Sequence, residues 1–495
     1  MIISQLSGEK LAALFMGIDV GTTGVRIIIC SEKGKLVAQV SRSFPTIFSS
    51  LPEGWIEQNS DQWWEVTRSS FQEIILHLRQ QEIPVSLIRA VSVDSTSGTI
   101  IPVDEKGNPL RPAILYNDSR ASREAERINE SAANLTEKMG YRFQPSFALP
   151  KILWIKEQEQ EIYRQTYKFI HATDYINGKL TGNFDVTDTS NVLKTGFDLV
   201  ENQWPDFIGE SFAIDLRKLP RVVKTGEVIG HISRNCAQET GLETTTKVVA
   251  GATDGTAAFI ASGAVEPGDW NSTLGTTLVI RGVSRCLIKD PRGRIYCHIH
   301  PEGYWLPGGA SNVGGECLEK IFSYQQLSHL DQKVPDYIPS SLIVYPLVRR
   351  GERFPFINEQ AQGFVEGIPR DQYELYAGYL EGVGYVERWC YDLVKELGAE
   401  LGDKVYTTGG GTRSEPWLQI RADILNKILY LPLITESAMG AAIIAASRTY
   451  YSGLTSAVKN MLRVNKVIYP QPDKVSLYSD RYLQFRALCR ERGWE

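Results

Sequence analysis

Apolar and polar residues first fall into a readable pattern at Met16. The chain continues as Gly-Ile-Asp-Val, a tight Gly-Thr-Thr-Gly turn at 21–24, an apolar run over 25–30, and a second turn around Lys33 and Gly34. Short apolar runs bounded by glycine predict strand, turn, strand. A similar order recurs much later: 271–274, the turn Gly275-Thr276-Thr277, apolar 278–280, and a glycine-containing turn near Arg292 and Gly293. The echo is weak in identity but matches in layout. Repeats this far apart are not solenoid units of roughly 20 to 50 residues, and they predict two domains of similar plan facing a central cleft. Elsewhere, apolar runs ending in Gly or Asp (88–93, 248–251, 405–408) alternate with amphipathic stretches at 61–79 and 373–397, a mixed α/β pattern.

A chain of 495 residues exceeds one core, since domains usually run to roughly 100 to 200 residues. We place a boundary near residue 250, after a segment (219–241) dense in Pro, Gly and polar turns. This gives an extension at 1–15, a first domain at 16–250 and a second at 251–495. The first fifteen residues lack the basic leader and long apolar core of a signal peptide, and Met16 stands as an alternative start. No window approaches the roughly 20 apolar residues of a membrane span, and 441–446 reads as a buried helix segment. The net charge of −5, with no basic run, argues against a nucleic-acid partner. Seven scattered cysteines without CxxC spacing favour reduced thiols and a cytoplasmic setting.

The turn at 21–24 offers unobstructed backbone N–H groups and two hydroxyls, Thr22 and Thr23, which suits a phosphate. Asp19 before it is placed to orient water ligands of Mg²⁺. A hairpin turn without ligand has the same sequence, and it is the second Gly-Thr-Thr turn that strengthens the functional reading. Neither GxxxxGK[ST] nor GxGxxG occurs, nor the motif pair of protein kinases. The stretch VVAGATDGT at 248–256 sets Asp254 at a strand's carboxyl end, where open α/β sheets bind ligands. A carboxylate there can accept a proton from an attacking hydroxyl, although Asp-Gly is also a plain turn. At 409–423 (GGGTRSEPWLQIRAD), three glycines allow a flat base or ribose to approach the backbone, with Ser414 as N-cap and Pro416 in the first helical turn. Three polar groups in the first half suit sugar hydroxyls: Trp55 with Glu57 and Gln58, Asp94-Ser95-Thr96, and Asp118 with Arg120. Each also has a structural reading: core Trp, strand-end turn, ion pair. His298 and His300 share a strand face but have no further ligand in reach, so they do not read as a metal site.

Taken in order, these segments resemble the FGGY family of carbohydrate kinases, from Gly17 to about Gly453. Supporting stretches are GWIEQNSDQWW at 54–64, YNDSRA at 116–121, DYINGKLTG at 174–182 and LPRVVKTGEVIG at 219–230. The resemblance implies an actin-like, ribonuclease H-like α/β architecture and ATP-dependent, Mg²⁺-assisted phosphorylation of a small sugar; it leaves a homodimer open. By that resemblance Asp19, Gly21, Thr22 and Thr23 form the first phosphate site and Gly275, Thr276 and Thr277 the second. Asp254 is the catalytic base and also touches the sugar, and Gly409, Gly410 and Ser414 lie against adenosine. Trp55, Asp94, Ser95, Asp118 and Arg120 line the sugar pocket. The sequence departs from xylulose kinases, which have a Gln-Met-His turn where Asp-Ser-Thr-Ser-Gly follows Val93, and from glycerol kinases, which have an Arg-Glu pair. That loop, followed by Tyr-Asn-Asp, is similar to plant and cyanobacterial kinases acting on D-ribulose. D-ribulose therefore ranks first, D-xylulose second and another sugar or polyol third. An actin-like ATPase switch and a non-catalytic sugar sensor are the rival classes.

Overall fold

The computed structural model describes residues 11–45 and 51–494. By contact the chain divides into two compact units. One takes the chain up to Gly263 together with His298–Gly303 and Ile434–Arg463, and the other takes Ala264–Cys297, Tyr304–Leu433 and the chain from Val464 onward.

The first unit is built on a six-stranded sheet. Leu14–Val20, Gly24–Ser31 and Leu36–Ser43 form an antiparallel meander, and Ile88–Ser95 and then Lys247–Thr253 add parallel to Leu14–Val20. Val228–His231 closes the far edge antiparallel. Strands such as Ile27-Ile28-Ile29 are buried on both faces, which is why they read as continuous apolar runs. One face meets the helix Ser60–Gln80, whose Trp63, Phe71, Ile74 and Leu78 repeat at helical spacing and pack with Met16 and Ile18. Asn59 caps this helix by accepting from the Asp61 N–H.

Alternation along the first strand turns Gly17 to the opposite face, against the helix Ser437–Ser447. A Cβ at Gly17 would lie 1.7 Å from the Ala438 carbonyl oxygen, and one at Gly440 would lie 1.8 Å from that of Ala257. Glycine at these points brings the helix backbone directly onto the strand and onto the helix Asp254–Ser262. Residues 251–263 and 434–463 therefore sit with the first unit, whereas a single cut near residue 250 gives them to the second. The apolar segment Ala438–Ala446 needs two surfaces to cover it, and both are in the first unit. Residues 1–10 of the extension lie outside the described residues, while Leu14 and Phe15 belong to the first strand and are fully buried.

The second unit repeats the plan. Trp270–Leu274 is antiparallel to Leu278–Gly282 and parallel to Lys404–Thr408, within a seven-stranded sheet. The helix Gln372–Glu396 is buried along most of its length and packs on Glu415–Leu425. Between them Arg421 and Glu387, both fully buried, pair through two bonds of 2.7 and 2.9 Å. Among the described residues no helix is long and apolar enough to cross a membrane.

Candidate functional site

In the first unit, three parallel strands bring their carboxyl ends together. Asp19 and Asp94 are direct register partners on neighbouring strands, and Asp254 opens the helix that follows the third strand. Asp94 is fully buried, and neither of its oxygens has a well-formed hydrogen bond. Burial, joined by the negative charges of Asp19 and Asp254, holds its carboxyl well above the usual range. Burial also raises Asp19, opposed by the Ser437 hydroxyl, by Asp94 and by the Arg26 charge. Ser437 is the first residue of its helix, so the positive end of a helix dipole meets these acids.

The Gly21 turn closes with Gly21 N–H donating to the Gly24 carbonyl at 3.0 Å. Thr23 is exposed and Thr22 half-buried. Gln58, grouped by the sequence with a sugar-binding Trp55, does something else: its amide donates to the Thr22 carbonyl at 2.7 Å and accepts from the Trp63 indole at 3.0 Å. The residue before Asp254 is braced as well. Thr253 N–H donates to Ser190 Oγ at 2.8 Å, and Ser190 donates onward to the buried Asp188 at 2.6 Å.

The sugar-side candidates divide. Ser95 is fully buried and shares a 2.6 Å hydrogen bond with Thr173, so the same loop presents Thr96 and Ser97, which are partly exposed. Asp118 and Arg120 have side chains 0% exposed. Arg120 is held by Asp118 and Glu57 and lies 3.8 Å from the centre of the Trp55 ring, which packs edge-on against Trp154. Asp118 is further occupied by the Ile56 N–H at 2.6 Å. These residues form a closed ion-pair and cation–π cluster, and a hydroxyl would reach the two charged side chains only if that packing opened. Lys151 supports the loop from behind, donating to the Gly98, Leu115 and Ser146 carbonyls at 2.9, 2.7 and 3.0 Å. Burial pushes its ammonium down to about 7.

In the second unit a cavity of about 420 Å³ is walled by Gly275, Thr276, Gly410, Ser414, Asp331 and Tyr376, with Leu318, Leu327 and Trp417 as apolar sides. Its size is that of a small-molecule site. Residues more than a hundred positions apart meet because the Trp270 and Lys404 strands are parallel neighbours. Ser414 caps its helix as expected, accepting from Trp417 N–H at 3.3 Å, with Pro416 in the first turn. Gly409 does not line the cavity. It has φ of 91° and stands where a Cβ would be 2.5 Å from the Leu274 carbonyl, so glycine is required there for chain path. Thr277 sits on the turn beside the walls.

Sequence reasoning missed Ser437, Ser190, Lys151 and Asp331. None stands in a motif, and each matters through a partner far away in the chain. Among the described residues no cluster of three or more His, Cys, Asp or Glu forms a metal cage. The half-buried carboxylates of Asp19 and Asp254 instead fit Mg²⁺ held through water and phosphate oxygens, the usual habit of that ion.

Two family models match the chain: the N-terminal domain of the FGGY family of carbohydrate kinases over residues 14–261 and its C-terminal domain over 296–449. A xylulose kinase of Staphylococcus epidermidis is 26% identical over 490 residues, covering 96% of both chains. A gluconokinase of Bacillus subtilis is 27% identical over 477 residues, covering 91% of both. The crystal structure of xylulose kinase from Rhodospirillum rubrum matches with a TM-score of 0.83 at 26% identity, over 97% of this chain and 98% of that one. Matched along most of its length by both halves of one family, the chain belongs to the FGGY family of carbohydrate kinases.

Proposed function

We propose that this sugar kinase transfers the γ-phosphoryl group of ATP to the terminal hydroxyl of a ketopentose, D-ribulose ahead of D-xylulose, giving the 5-phosphate and ADP. The observation that carries the reading is the meeting of Asp19, Asp94 and Asp254 at the carboxyl ends of three parallel strands. Asp254 accepts the hydroxyl proton while the sugar oxygen bonds to the γ-phosphorus and the bond to the ADP oxygen breaks. The Gly21 turn of the first unit and the Gly275 turn of the second each offer threonine hydroxyls and turn backbone of the kind that suits phosphate oxygens. Gly410 and Ser414 lie beside the adenosine. Bound Mg²⁺ would neutralise phosphate charge, with Asp19 holding its water ligands.

Overall similarity does not choose the sugar, since a xylulose kinase and a gluconokinase match almost equally well. What supports D-ribulose is the Asp94 loop, where the small hydroxyls of Thr96 and Ser97 are accessible and replace the bulkier Gln-Met-His turn. The abundance of xylulose kinases among the relatives supports D-xylulose as the second reading.

A coupled ADP-release assay over D-ribulose, D-xylulose, L-ribulose, L-xylulose, gluconate and glycerol tests this, with the highest kcat/KM expected for D-ribulose. A higher value for gluconate or glycerol overturns the ketopentose reading, and ADP release indifferent to sugar favours an ATPase switch. Asp254→Ala is expected to lower kcat by about 10² to 10⁴ while calorimetry shows ketose affinity retained.

A further inference from the structure

The cavity of the second unit contains one polar group whose hydrogen bonding is half finished. Asp331 lies on the helix Tyr324–Lys333, outside every glycine-turn motif in the sequence. Its Oδ1 accepts two donors, the Tyr376 hydroxyl at 2.8 Å and the Ser414 hydroxyl at 2.8 Å. Two donors use that oxygen's lone pairs. Oδ2 has no hydrogen-bond donor among the described residues, and Asp331 lines the cavity. The carboxylate is half-buried, so a ligand covering it removes its remaining water and leaves an oxygen that must be paired.

An ionised carboxylate only accepts, so the group it meets must bear an N–H or O–H. Leu318, Leu327 and the Gly410-Gly411 backbone form walls suited to a flat ring. The donors that adenosine carries are the 6-amino group of the base and the ribose hydroxyls. Guanine fits less well: it presents an acceptor at position 6, and its adjacent N1–H and 2-amino donors pair best with both oxygens of a carboxylate, of which only one is open here. Hypoxanthine presents the same acceptor at position 6 without the amino group.

We propose that Asp331 is a nucleoside-reading residue, its Oδ2 accepting a hydrogen bond from an adenosine donor while Tyr376 and Ser414 lock the carboxylate in place. This rests on reading the cavity as the nucleotide site, not on which sugar is phosphorylated. Tyr376 and Ser414 come from two further helices, Gln372–Glu396 and the cap of Glu415–Leu425, so the reader is held by three elements and does not depend on a mobile loop.

The experiment is calorimetric binding of ADP, IDP, 2′-deoxy-ADP and 3′-deoxy-ADP to the full chain without sugar, for the wild type, Asp331→Asn and Asp331→Ala. The wild type is expected to prefer ADP by about tenfold or more over the analogue that lacks the donor. IDP is that analogue if the 6-amino group is read, and a deoxy analogue if a ribose hydroxyl is. In Asp331→Ala that preference shrinks toward parity while the other ratios stay. Melting curves without ligand report whether the variants fold, and the near-isosteric Asp331→Asn carries the test if the alanine variant does not. Equal analogue ratios in variant and wild type, or no discrimination by the wild type, overturns the proposal. Failure of the wild type to bind ADP overturns the nucleotide reading of the cavity as well. Neither result depends on the ketose, because no sugar is present.

Discussion

At the scale of single residues, the strongest constraint in the first unit is electrostatic. Asp94 is fully buried beside two other acids, and its carboxyl titrates well above the ordinary value of about 3.9. As pH rises past that value the unfolded chain gives up this proton first. The native state must then keep the proton or bury a charge. The raised native pKa thus contributes stability that is complete at low pH and is lost as pH rises through the native value. Asp94→Asn replaces the protonated acid with a neutral group of the same shape. The melting temperature of the variant relative to wild type is expected to be near zero shift at pH 4 and to climb steadily toward pH 8. A shift that does not change with pH would show that Asp94 is not held neutral. The sequence made this residue a candidate, but as a sugar ligand. Its partnership with Asp19 follows only from the parallel register of strands separated by about seventy residues in the chain. Asp118 and Arg120 show the same dependence on packing: the residue types suit a sugar, and only the structure shows that both side chains are 0% exposed and paired with each other.

At the scale of elements, periodicity along the chain was enough to find the hairpin with the Gly21 turn, its counterpart at Gly275 and the helices at 60–80 and 372–396. Local chemistry explains why. Strand alternation, N-caps and glycine turns act within a few residues. Contacts between elements are another matter. The helix Ser437–Ser447 reads in sequence only as a buried helix segment at 441–446 with no partner named, and it is close approach at Gly17 and Gly440 that seats it on the first strand and the Asp254 helix. Gly440→Ala would force a methyl to within 1.8 Å of the Ala257 carbonyl oxygen unless the helices separate. The expected cost is about 1 to 3 kcal/mol, read as a lower denaturation midpoint. Turnover falls with it, because the same displacement moves Ser437 away from Asp19 and shifts Asp254. An unchanged midpoint would mean that the helix pair yields without cost.

At the scale of the whole molecule, chain order and spatial grouping differ. The first unit borrows Ile434–Arg463 from beyond the body of the second. A fragment ending at Gly263 keeps all six strands but lacks the helix that covers the Gly17 face. It is expected to be poorly soluble or to lose cooperative melting, and co-expression with the 434–463 segment is expected to restore a cooperative transition. A fragment ending at Gly263 that melts as sharply as one supplied with 434–463 would refute this. Two family models, one over residues 14–261 and the other over 296–449, do not reveal the exchange, since a linear match carries no information on which segments pack together.

The sequence by itself determined the mixed α/β class, the paired Gly-Thr turns, Asp254 at the end of a strand, Ser414 as a helix cap and the membership in a sugar-kinase family. All of these are written in local spacing, which is the range over which turn, cap and strand chemistry acts. Tertiary structure decided that Asp94 joins Asp19, that Asp118 and Arg120 close on each other, that Ser437 faces the acids and that Asp331 faces the cavity. The Asp118–Arg120 pair is local and is sealed by Glu57 and Ile56 from a distant segment; each of the others depends on segments brought together from far apart in the chain, where register and burial, and not residue type, set what a side chain can touch.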